Sequence, residues 1–121
     1  MNYQSTVRSE SQSFPGVWFE IKRLSLSGRL ELLRLVRREG RDLEFHSASD
    51  EMADQLRARE IAASIQAIYI RWGLDRIEGL CIDGEAANRD SLLDKGPEAL
   101  CTEIAEAIRS ECFLSETERK N

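Results

Sequence analysis

The sequence predicts a mainly α-helical protein with a small β element. It reads as three to four helices packed around a central apolar helix, with a short two-stranded pairing of residues 17–24 with 76–82. Three patterns carry this. Ile61, Ile65, Ile68 and Trp72 recur at i, i+4, i+7 and i+11, and a second helical stripe runs from Cys101 through Ile104, Ala105 and Ile108 to Cys112. Val17, Phe19 and Ile21 alternate with Glu20 and Lys22, the period of a half-buried strand.

The chain divides into a polar tail, 1–13, and one helical domain, 14–121. Five of the first 13 residues are Ser or Thr with no apolar period, which predicts a disordered tail. Phe14-Pro15-Gly16 ends it, and the strand follows; Trp18 breaks the strand's alternation and is a candidate for covering an edge or touching a partner. From Ser27 the period becomes helical: Leu26, Leu30, Leu33 and Val36 form the predicted buried stripe, widened by Leu32 and Leu35. Arg34, Arg37, Arg38 and Arg41 share one exposed face of this first helix. Such faces are ordinarily just solvated; the sharper reading is a docking surface for an acidic or phosphate-bearing partner. Gly40 predicts a break or kink near it.

Ser49 caps the second helix in this reading, with Asp50, Glu51 and Asp54 at the positive end of its dipole. Gly73 supplies a left-handed stop, with Leu74 folding back. Residues 76–82 are the strand partner, and Asp83-Gly84 is a turn followed by a stretch too short and Ala-rich for a convincing strand. "NRDSLLDKG" reads as a capped helical turn, and Pro97 opens the next helix at N1. Leu114, Ser115 and Glu118 match a capping box that starts one more helix.

A length of 121 residues is enough to bury roughly two-thirds of the unfolded surface. No apolar run approaches the roughly 18 residues of a membrane span, and residues 1–13 lack an apolar signal core, so the expected setting is the compartment of synthesis. Cys81, Cys101 and Cys112 are three thiols without a CxxC pair, which fits buried structural cysteines in a reducing cytosol. The net charge of −5 is uneven: residues 1–45 carry 8 basic against 6 acidic groups, and the remainder 9 against 16. An acidic C-terminal part repels phosphate backbones and suits a basic protein partner.

Chemical motifs are missing. His46 is the sole histidine, without a Ser or Cys motif beside it, and no GxxxxGK, GxGxxG, GxSxG or HExxH occurs. Asp83, Glu85 and Asp90 share a loop region but not the spacing of a calcium loop. No catalytic, cofactor-binding or metal-ligating residue is assigned, and no cofactor. Trp72 and Tyr69, at helical spacing, read as core.

The order of the pieces, an apolar strand leading into "RLELL", then "YIRWGLDRIEGLCIDGEAA", "LLDKGPEALCTEIAEAI" and "LSETERKN", resembles small proteins of bacteriophage and prophage tail-gene clusters, of the tail assembly chaperone type. The resemblance covers about residues 14–121 and rests on fold signatures such as W-G-L…G-L…I-D-G and G-P-E-x-L. It implies a mostly helical, non-catalytic protein of the host bacterial cytoplasm that binds the tape measure protein before the tail tube polymerises and is absent from the mature virion. The tail tube protein and further copies of the chain are secondary partners on this view; nucleic acid and membrane are not partners. The expected contact residues are Trp18, Leu32, Arg34, Leu35 and Arg38. Many chaperones of this type have a longer form made by a −1 frameshift, and Arg119-Lys120-Asn121 is compatible with an A-AAA-AAC heptamer, which the gene would reveal. Two other classes compete: a virion structural protein such as a head–tail connector or tail-completion subunit, marked by a defined ring, and a small DNA-binding regulator, marked by salt-sensitive DNA binding.

Overall fold

The computed structural model describes the backbone of residues 1–47 and 51–120 and the side chains of 1–41 and 51–112. Its elements run β1 (Thr6–Glu10), β2 (Trp18–Lys22), α1 (Leu26–Ser47), α2 (Met52–Gly73), β3 (Leu74–Glu78), β4 (Cys81–Ile82), β5 (Glu85–Ala86), α3 (Arg89–Lys95) and α4 (Glu98–Lys120). This is the predicted class, mainly α with a small antiparallel β part.

The predicted pairing of 17–24 with 76–82 is present: Trp18 faces Glu78, Phe19 faces Ile77 and Glu20 faces Arg76, with an irregularity before Ile21–Leu74. The sheet has a third strand, however, in the order β1-β2-β3. Residues Thr6–Glu10, predicted as part of a disordered tail, pair antiparallel with β2 from Thr6–Lys22 to Glu10–Trp18. The strand escapes sequence patterning because Val7 is its only apolar residue, and its order comes from a distant side chain. Ser11 is buried, and its hydroxyl donates to Glu103 Oε1 on α4 at 2.6 Å. The N–H of Gln12 donates to Glu103 Oε2 at 2.7 Å, and that of Ser13 to Oε1 at 3.4 Å. Burial raises the Glu103 carboxyl, but hydrogen bonds from Ser11, Gln12 and Ser13 outweigh it and leave its pKa below 4.5, the ordinary glutamate value. The β1–β2 connection is thereby fastened to α4.

Val17, Phe19 and Ile21 all point into the core, as the alternation requires. They join Ile70, Leu74, Leu92, Leu100, Ile104, Ala105 and Ile108 in one cluster, with Cys101 packed at its margin. The opposite sheet face is a charge ladder in which Arg8 lies opposite Glu20 and Glu20 opposite Arg76.

α2 is central, as predicted, because its two sides do different work. Ile61 and Ile70 are nine residues apart, half a turn out of phase, and both are 1% exposed. α1 packs along α2, while α4 packs against α2 from another side. Gly73 does not take the predicted left-handed conformation; the glycines with positive φ are Gly16, Gly79 and Gly84. Its role is close approach, since a Cβ there would lie 2.8 Å from Ile108 Cγ2 on α4. The helix stops because Leu74 turns extended into β3, its N–H donating to the Ile70 carbonyl. Arg89 Nη1 then donates to the Arg71 carbonyl at 2.7 Å, placing a cation at the negative end of the helix.

Asp83 and Gly84 both have positive φ, at 52° and 84°, and form the two-residue turn between β4 and β5, so a second short strand does follow. Asn88 caps α3 in a reciprocal box with Ser91. α4 starts at Glu98, leaving Pro97 just before the helix, one residue off the expected N1. No new helix begins at Ser115; α4 runs on to Lys120. Each residue of 113–120 has good helix propensity or is tolerated in a helix, so nothing there interrupts the preceding turns. The predicted cap Ser49 lies outside the described residues, as does the side chain of His46. The helix also continues through Gly40 to Ser47 without the predicted break. Of the cysteines, Cys81 is exposed and Cys101 and Cys112 are half-buried, against the expectation that all three are buried. No helix among the described residues is long and apolar enough to cross a membrane.

Candidate partner-binding face

α1 begins at a side-chain cap: the Gly28 N–H donates to Ser25 Oγ at 3.0 Å. Its first turn lies so close to the end of α2 that a Cβ on Gly28 would stand 2.8 Å from Trp72 Cζ2. The start of α1 is thus fixed against the end of α2, and the two helices return antiparallel along each other. At 22 residues each, both extend about 33 Å.

The inward side of α1 is Leu32, which is 3% exposed, with Gly28 and Val36 one turn away on either side. This reverses the expected stripe. Leu26, Leu30 and Leu33, predicted as core, are 64%, 56% and 47% exposed. Leu32, predicted as a contact residue, is turned into the protein and has no surface to offer. The reason is legible in helical phase. Leu30, Arg34, Arg37 and Arg41 follow i, i+4, i+7 and i+11, so a stripe centred on Leu30 continues into guanidinium groups that cannot be buried unpaired. The phase of Gly28, Leu32 and Val36 carries small or apolar groups and is the one that buries.

The exposed face is continuous. Leu30, Leu33, Arg34, Arg37, Arg38 and Arg41 line one concavity of about 590 Å³, and all belong to α1. Arg34 and Arg38 are therefore together at the surface, as expected. Leu35 lies to one side, in a depression with Lys22, Glu31, Ile68, Arg71 and Trp72. Trp18 is not brought to the arginine face. It stands on the outer sheet surface under the Arg8 guanidinium, 4.8 Å from the ring centroid, and Arg8 also meets Glu78 at 2.9 Å.

Elsewhere several arginines stand beside a carboxylate: Arg23 meets Glu111, Arg57 meets Glu60, Arg76 meets Glu78 and Arg109 meets Glu106. Asp83 pairs with Lys95 at 3.5 Å beside Glu85 and Asp90, and among the described residues no three His, Cys, Asp or Glu groups come together as a metal site. Burial and, next, the nearby Glu98 carboxylate raise the Cys101 thiol pKa, and its S–H donates to the Leu92 carbonyl. A mostly apolar groove lies between α1, α2 and α4, lined by Val36, Ile65, Tyr69 and Ala105 among others.

No family model, curated protein or solved structure matches the chain.

Proposed function

We propose that this protein is a non-catalytic binding protein of the tail assembly chaperone kind, which covers amphipathic helical stretches of a tape measure protein in the bacterial cytoplasm and leaves before the particle is complete. The observation that carries the reading is the outer face of α1, where three leucines at helical spacing stand in solvent beside four arginines. An apolar helix face of this kind is what a helical client lays itself against. A long client offers many such stretches, so modest affinity at each suffices.

The test is co-expression of the chain with helical fragments of a bacteriophage tape measure protein. Retention by the wild type and loss on Leu30→Ser/Leu33→Ser supports the reading. Unchanged retention by that variant removes α1 from the mechanism. Unchanged retention after charge reversal at Arg34 and Arg38 removes the basic half of the face. A single defined ring in light scattering, with no client bound, would instead assign a structural subunit.

A further inference from the structure

The α1 face has an order along its length: Leu26, Leu30 and Leu33 occupy its first half, and Arg34, Arg37, Arg38 and Arg41 follow. Among the described residues none of these four arginines meets a carboxylate, although Glu31 and Glu39 lie on the same helix. Arg8, Arg23, Arg57, Arg76 and Arg109 each meet a carboxylate, so among the described residues this cluster is a concentration of positive charge without an acidic partner, on a chain of net charge −5.

We propose that α1 docks an antiparallel amphipathic helix from another polypeptide, acidic in its N-terminal half and apolar in its C-terminal half. This deepens the client-binding reading and rests on it. Charge complementarity selects carboxylates opposite Arg34–Arg41, and the three leucines select an apolar continuation of the same partner face. A nucleic-acid backbone would satisfy the arginines and leave the leucines uncovered. A second copy of α1 fails in both directions. Parallel pairing stacks arginines on arginines, and antiparallel pairing sets Arg41 beside Leu26, Arg37 beside Leu30 and Arg34 beside Leu33. The helix dipole fixes the partner's polarity. Carboxylates stabilise the N-terminal end of a helix, so an acid-first helix lying antiparallel to α1 has its own acids where both its dipole and the arginines favour them.

The experiment titrates the full chain, at low salt, with three labelled synthetic helical peptides of about 20 residues, a length that spans most of α1. One carries Glu then Leu on a single face, the second Lys then Leu, the third Leu then Glu. Fluorescence anisotropy should show the Glu-first peptide binding at least about tenfold tighter than either other peptide, and weakening with added salt. Replacing all four arginines together, Arg34→Glu/Arg37→Glu/Arg38→Glu/Arg41→Glu, turns the cluster's charge from positive to negative and should reverse the preference between the Glu-first and Lys-first peptides, an exchange that a folding defect cannot produce. Equal or tighter binding of the Lys-first or Leu-first peptide overturns the proposal, as does tighter binding of a single-stranded DNA oligonucleotide. If all three peptides fail while the tape measure fragment still requires Leu30 and Leu33, the acidic helix is wrong and the client reading stands. If that fragment is not retained either, both fall.

Discussion

The molecule has a satisfied end and an unsatisfied one. In the base, where the sheet, α3, α4 and the second half of α2 meet, Leu92, Leu100, Ile104 and Ile108 are fully buried, and the buried Ser11 hydroxyl has a partner. In the arm formed by α1 and the first half of α2, Leu26, Leu30, Leu33, Met52 and Leu56 stand exposed, and residues 51–60 are buried only at Ala58. Among the described residues α1 leans on α2 and has no comparable partner. The difference teaches that stability and recognition are separable here. Most buried side chains lie in the base, and the arm buries only its inner seam at Leu32, Ala58 and Ile61, so its outer face can keep apolar surface open without being needed for the core.

Truncation is the hardest blow to the base. Ile104→Ala should cost about 3 kcal/mol, from lost burial plus the cavity left in a closely packed cluster, read as a lower denaturant midpoint with an unchanged slope. Gly79→Ala should come next, at about 2 kcal/mol. Its φ is +83°, and an added Cβ would collide with the Gly16 carbonyl oxygen in the neighbouring turn, so both conformation and space oppose a side chain.

Glu103→Gln should cost about 1 kcal/mol by weakening the bonds from Ser11, Gln12 and Ser13, and hydrogen exchange at residues 11–13 should quicken. The pH dependence has a definite sign. The folded carboxyl titrates below its unfolded value of 4.5, so its contribution is present above that pH and is lost as the pH falls through the depressed folded value. Urea midpoints of wild type and Glu103→Gln measured from pH 6 to pH 3 should therefore converge at the acid end. Smallest of all, Leu30→Ser or Arg34→Glu on the arm should change stability by about 0.5 kcal/mol or less, while altering client retention. A large stability loss from either would erase the distinction between the two regions.

Much of the base was legible in the sequence. The period-2 run at Val17, Phe19 and Ile21, the helical stripe through Ile104 and Ile108, and the Asn88 cap each depend on neighbours within a few residues. What was not legible depends on distance. β1 needs Glu103, more than ninety residues away, and Gly73 is explained by Ile108 rather than by the end of its own helix. On the candidate face, local pattern located Arg34 and Arg38 on the surface but chose the wrong leucines. Both phases of α1 are leucine-bearing, and only the arginines that continue the Leu30 phase discriminate between them. Leu32 and Leu30 exchange roles through that one choice of phase.

The fastening of residues 11–13 to α4 has a mechanical consequence. α1 and the joining segment after it lie between β2 and α2, so a protease that nicks the arm severs the chain into two pieces. The first piece still contributes β1 and β2 to a sheet completed by β3, and Glu103 of the second piece still grips its loop. The nicked protein should elute from a sizing column as one particle and separate into fragments only in denaturant.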